Sequence, residues 1–166
     1  MKKRTICKTK NNKSVYVDME SSHAATHLMD TPGLTELVQE VIVELEAVQD
    51  NLCIDKDMGR VVGMSDLVKT NDNDEIMYAK RMNRNNYTRF AMHRRAVPSS
   101  FVTVVLQKDI NGGYELWSAW IGPVVPQFPG DEHEVPESRP FWRQHALVWG
   151  NQAIQPGTET HEWPWG

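Results

Sequence analysis

Little in this chain invites a covalent or metal-held architecture. Its 166 residues include only two cysteines, Cys7 and Cys53, without C-x-x-C spacing, so neither a disulfide framework nor a cysteine-rich zinc site is expected. No window approaches the ~18 uncharged apolar residues that a bilayer-spanning helix requires, and the mean hydropathy of -0.54 is that of a polar chain. The start, Met1-Lys2-Lys3-Arg4-Thr5-Ile6-Cys7, carries the charges of a secretion signal, yet Lys8, Lys10 and Lys13 stand where its apolar stretch belongs. The expectation is a cytoplasmic protein with two idle thiols. Also missing are G-x-G-x-x-G after a strand, the Walker A loop, G-x-S-x-G and an EF-hand loop. Dinucleotide binding, nucleotide hydrolysis, α/β-hydrolase catalysis and calcium binding therefore have no support. His133-Glu134 begins like a zinc deaminase signature, but no P-C-x-x-C follows it, and that chemistry is excluded as well.

What the chain does have is an uneven charge. The net charge is -4, but residues 1 to 13 carry six Lys or Arg and no acid, and residues 14 to 75 carry fourteen acids against three bases. From Ile76 to Lys108 the sign reverses. Lys80, Arg81, Arg84, Arg89, Arg94, Arg95 and Lys108 occur there with His93 and without a single Asp or Glu, and the remainder is acidic again. A local positive field on an acidic chain marks where an anion should sit.

The length fits one domain, residues 1–166. Residues 1–12 read as a basic, flexible terminus. Ser14 to Met19 alternates like a short strand. Thr31-Pro32 reads as a helix start, with Thr31 as N-cap, and Leu34, Leu37, Val38, Val41, Ile42, Leu45 and Val48 recur at helical spacing against Glu36, Glu40, Glu44 and Glu46. Asn51 to Asp74 is turn-rich, with one short helical or extended piece near Ser65 to Lys69. Glu75 to Arg81, Tyr87 to Met92, Ser100 to Lys108 and Tyr114 to Gly122 read as strands, the last two joined by a turn at Asn111-Gly112-Gly113. Simple alternation puts Tyr114, Leu116, Ser118 and Trp120 on one face of the final strand. Pro123, Pro126, Pro129, Pro136 and Pro140 interrupt regular ladders, so residues 124–166 read as a Pro/Trp-rich extension wrapped over the domain, with Phe141 to Trp149 as a strand or short helix. The fold class expected is α+β: an amphipathic N-terminal helix packed on a mostly antiparallel sheet.

The basic segment Tyr78 to Phe90 is the leading functional candidate. Lys80, Arg81, Arg84 and Arg89 suit a phosphate backbone, and Tyr87 and Phe90 offer rings on which bases stack, the combination that single-stranded RNA recognition uses. The competing reading is a solvated hairpin edge that resists aggregation. Metal-independent RNA cleavage needs a base for the 2′-hydroxyl, cations for the phosphorane and an acid for the leaving oxygen. His23, His27 and His93, the cations Lys80, Arg81 and Arg84, and the hydroxyl of Ser118 are the residues to test. The i, i+4 spacing of His23 and His27 also suits a metal on a helix, but no glutamate of an HExxH motif lies between them, and Ser21 to Asp30 is only marginally helical. No metal and no cofactor are expected.

The order of these parts, His23/His27, the helix from Leu34 to Val48, the Y-A-K-R-x-x-R segment from Tyr78 to Arg84, and a strand ending S-A-W-I-G from Ser118 to Gly122, resembles the metal-independent endoribonuclease superfamily of RelE-like and colicin D-like toxins. The resemblance is architectural, covers about residues 16–123, and leaves 124–166 outside. It implies a bacterial or phage source, His23 or His27 as acid or base, Lys80 and Arg84 on phosphate, Ser118 as the late hydroxyl, RNA such as tRNA as substrate, and an inhibitor protein as partner. The negative net charge departs from ribosome-associated toxins and favours free RNA. The reading is thus an RNA-binding domain, with toxin-like RNA cleavage as its stronger form. Its rivals are a non-catalytic protein-interaction role and a small-anion binder in which Arg84 and Arg89 face a tryptophan-lined pocket.

Overall fold

In the computed structural model, which describes residues 2–20, 23–48 and 50–166, the basic start of the chain forms a strand and does not fray. β1 (Lys3–Lys8) pairs antiparallel with β2 (Ser14–Asp18), and this pairing is what a count of charges could not reveal. Two helices follow, α1 (His23–Asp30) and α2 (Leu34–Val43). Thr31 does not cap α2. Its N–H donates to the His27 carbonyl at the end of α1, its own carbonyl accepts from Leu34, and Gly33 at φ 83° is the N-cap. A β-carbon disfavours that left-handed conformation, so the glycine is what lets the chain turn between the helices. α2 also ends five residues before Val48, because Asn11 takes over the backbone beyond it, accepting from the Ala47 N–H and donating to the Ala47 carbonyl.

The remaining elements are β3 (Leu52–Asp57), β4 (Gly63–Ser65), β5 (Leu67–Lys69), β6 (Ile76–Lys80), β7 (Tyr87–Ala91), β8 (Val97–Ser99), β9 (Phe101–Lys108), β10 (Tyr114–Ile121), α3 (Ser138–Gln144) and β11 (His145–Val148). Among the described residues this is an α+β fold with three helices and mostly antiparallel pairing. The four strands expected from Glu75 to Gly122 are present within a residue or two of their expected limits. β3 and β8 were not expected, and Ser65 to Lys69 is extended. No helix among the described residues is long and apolar enough to cross a membrane.

The length suits one domain, but the packing divides into two compact units, Met1–Gly63 with Ser99–Val124 and Met64–Pro98 with Val125–Gly166. Each has its own sheet and its own apolar cluster. In the first unit the strand order is β1-β2-β10-β9-β3, and one face of the sheet carries both helices. Val15, Val17, Val102, Val104, Leu106, Tyr114, Leu116 and Ala119 meet Ala24, Ala25, Leu34, Leu37, Val38, Val41 and Ile42 in a single core. Each fully buried aliphatic side chain there contributes about 1.5–3 kcal/mol relative to exposure. A bulge between Leu116 and Ser118 sets two residues of β10 against Val105. It shifts the alternation by one, so Ala119 joins the core while Ser118 and Trp120 turn to the face away from the helices. Simple alternation put Ser118 with Tyr114 and Leu116, and the bulge overturns that.

In the second unit the order is β5-β11-β7-β6. β11 therefore lies inside the sheet, antiparallel to β5 and parallel to β7, so residues 124–166 are more than an interrupted loop. Phe141 to Trp149 contains both alternatives the sequence offered, the end of α3 and then β11. Farther on, the chain runs beside β6, with backbone hydrogen bonds in both directions between Tyr78 and Thr160 and a bridge between Arg81 and Ile154.

Candidate nucleic-acid interface

β6 and β7 form an antiparallel hairpin in which Lys80 faces Tyr87 and Ile76 faces Ala91. Its connecting loop, residues 81–86, begins with a turn closed by the Arg84 N–H on the Arg81 carbonyl. Asn83 sits in this turn at φ 63°, a left-handed conformation that asparagine tolerates well. The loop backbone is tied down from outside. Gln155 Nε2 donates to the carbonyls of Arg81 (3.0 Å) and Arg84 (2.7 Å), Asn86 Nδ2 donates to the Pro129 carbonyl, and Asn86 Oδ1 accepts from the Trp165 indole at 2.9 Å.

On this anchored loop the cations lack counter-charges. Lys80, Arg81 and Arg84 form no ion pair with any described carboxylate, whereas Arg94 is bonded to Asp74 and Arg139 to Glu134. Lys80 Nζ lies 5.1 Å from the centre of the Tyr87 ring, Arg84 is exposed, and Tyr87 is half-buried. The Arg81 guanidinium donates to Thr88 Oγ1 and Gln152 Oε1, both neutral acceptors. Burial, and then the nearby Arg84 charge, push its pKa down to about 10. The end of β6 and the tethered loop thus bring together three cations without a carboxylate partner, a local positive field on a backbone already held in place.

Two of the residues named for RNA contact do other work. Phe90 is fully buried, edge-on to Trp149 at 5.2 Å between ring centres, and offers no face to a base. Arg89 is also buried. It donates to Tyr78 Oη (3.3 Å), Thr70 Oγ1 (3.0 Å) and the His145 carbonyl (3.0 Å), so Nε and Nη1 tie neighbouring segments together. β7 is an interior strand with both faces covered, and charge counting along the sequence does not register that.

The proposed catalytic residues are divided between the two units. His23, His27 and Ser118 belong to the first unit, and Lys80, Arg84 and His93 to the second. His23 and His27 lie on α1, with their Nε2 atoms 2.8 Å apart and their rings edge to face, so one ring donates to the other. α1 packs on the helix-bearing face of its sheet through Ala24 and Ala25, while Ser118 occupies the opposite face, so the sheet separates the two histidines from that hydroxyl. Among the described residues no group of three or more His, Cys, Asp or Glu is arranged to hold a metal. In the second unit His93 stands beyond Ala91 and beside Glu75, at 3.6 Å. That is the far end of the hairpin from Lys80, roughly 16 Å along the strand at the usual rise per residue. The thiols are set apart from nucleophilic chemistry: burial pushes Cys7 up to about 11, and burial and then Asp55 raise Cys53.

The residues missed from sequence were the anchors, Thr88, Gln152, Gln155 and Trp165. All four are neutral, and Gln152, Gln155 and Trp165 are also distant in the chain, so their link to this loop had no signal before the pairing of the C-terminal segment with β6 was known. Comparison with protein-family models, with curated proteins and with solved structures finds no match to this chain.

Proposed function

We propose that the loop end of the β6–β7 hairpin binds single-stranded RNA, with Lys80, Arg81 and Arg84 on the phosphates and Tyr87 as the stacking ring. The observation that carries the reading is the group of three cations, unpaired with any described carboxylate, at the end of β6 and on the following loop, whose backbone is held by Gln155 and Asn86. A run of solvated edge charge does not need such anchoring. The Pro/Trp-rich segment 124–166 fits the reading as the part that holds the loop in shape. A cytoplasmic location, tRNA as the ligand and an inhibitor protein as partner belong to the same proposal, as does the likeness to RelE-like and colicin D-like nucleases.

Binding is better supported than cleavage, because an acid–base group must stand within hydrogen-bond reach of the reacting oxygen, and His93 is at the wrong end of the hairpin. Fluorescence anisotropy with a labelled single-stranded RNA and with tRNA, in EDTA and across a salt series, tests the reading. Salt-sensitive binding is expected, and Lys80→Ala/Arg84→Ala should reduce the slope of log K against log salt by about 1.4, roughly 0.7 per lost phosphate contact. The same samples on a denaturing gel report cleavage. Absence of salt-sensitive binding by the native chain sinks the nucleic-acid reading and favours the protein-interaction role.

A further inference from the structure

Arg81 differs from its two neighbouring cations. Arg84 is exposed and Lys80 lies beside the Tyr87 ring, whereas the Arg81 guanidinium is largely withdrawn from solvent and lies 5.9 Å from the centre of the Phe128 ring. Nε is held by Thr88 Oγ1 at 2.9 Å and Nη1 by Gln152 Oε1 at 3.0 Å. These acceptors satisfy donors and fix the plane of the group, but being neutral they leave its charge uncancelled. Nη2 donates to no described residue, and no buried side-chain nitrogen or oxygen among the described residues lacks a partner, so Nη2 opens to solvent. A buried cation beside a second cation is costly unless something of opposite charge joins them. The turn closed by the Arg84 N–H on the Arg81 carbonyl holds the two residues at one end of the loop, and the Arg84 charge disfavours that of Arg81.

We propose that Arg81 and Arg84 form a clamp for a phosphate monoester, carried either at the end of an RNA strand or on a free mononucleotide. The guanidinium, its plane fixed by Thr88 and Gln152, offers Nη2 to a phosphate oxygen, and Arg84, three residues on across the same turn, supplies the second positive charge. Charge separates a terminal phosphate from an internal one. A monoester carries about -1.5 to -2 near neutral pH, enough to offset both guanidinium groups, whereas an internal diester carries a single charge. The macromolecular half of this inference rests on the RNA reading, but the clamp itself does not.

The test uses the full chain and one oligoribonucleotide sequence in three forms, with a 5′-phosphate, with a 3′-phosphate, and with hydroxyls at both ends, alongside uridine monophosphate. One phosphorylated form is expected to bind about tenfold tighter than the unphosphorylated one, the gain of roughly one charge-assisted contact. Arg84→Gln, at an exposed position with no folding role, should abolish that preference. Arg81→Lys, which keeps the charge and loses the planar fork, should reduce it, with circular dichroism checking that the variant folds. Equal binding of all three forms overturns the clamp and leaves the RNA reading standing. If no oligonucleotide binds, the mononucleotide decides: binding that Arg84→Gln removes supports the clamp and sinks the RNA reading, and no binding overturns both.

Discussion

Only 9% of Arg89 is exposed, and its three hydrogen bonds join β6, the residue after β5 and the α3–β11 junction through one guanidinium. Replacing it with methionine keeps much of the bulk and removes the donors, leaving a phenol, a hydroxyl and a carbonyl without that partner. Arg89→Met should therefore lose about 2–4 kcal/mol in urea denaturation. Arg60→Ala, which breaks an exposed pair with Glu40, should lose less than about 1 kcal/mol. Equal losses would show that Arg89 is not the tie described. Along the sequence Arg89 is one more charge in an acid-free run, and its difference from Arg84 is legible only once both faces of β7 are seen to be covered. Tyr87 differs from Phe90 because it sits at the strand's end, beside Lys80, and is only half-buried.

Among the elements, β10 shows how one residue can redirect a strand. Trp117 occupies the bulge and is 55% exposed, an unusual position for so large a ring. Without it, Tyr114, Leu116, Ala119 and Ile121 alternate regularly against Lys108, Leu106, Val104 and Val102 in their present register. Deletion of Trp117 is thus expected to keep the fold, with stability within about 1 kcal/mol of the native chain. Insertion of a second residue at the same place restores the alternation only by shifting Ala119 and Ile121 two positions along β9, and should cost the first unit more stability than the deletion does. Circular dichroism and urea midpoints of the two variants read this directly, and a deletion variant that unfolds while the insertion is tolerated refutes the account. The helix periodicity of Leu34 to Ile42 was legible because it repeats, whereas the bulge occurs once and depends on the partner strand. The start of α2 was misplaced for a related reason: Thr31-Pro32 has the chemistry of a cap, but α1 claims Thr31 first.

At the scale of the whole molecule, the second unit is assembled from segments far apart in the chain. β11 enters the sheet between β5 and β7, and the segment after it protects β6, where Tyr78 N–H donates to the Thr160 carbonyl, Lys80 N–H to Thr158 Oγ1 and Met82 N–H to the Ala153 carbonyl. Truncation after Gly150 leaves the four strands but exposes these donors. Hydrogen exchange at the amides of Tyr78, Lys80 and Met82 is expected to accelerate about tenfold or more, while the Val102 and Val104 amides of the first unit stay protected. Unchanged exchange at Tyr78 would mean that the C-terminal segment does not cover this edge. The sequence by itself determined the α+β class, the helical stripe from Leu34 to Ile42, the hairpin strands and the acid-free basic run, because each follows from a local period or composition. Only the tertiary structure decided which of those cations are buried, paired or open, which face Ser118 takes, and that Gln152, Gln155 and Trp165 hold the loop. These depend on contacts between residues up to 79 positions apart, and no local pattern encodes them.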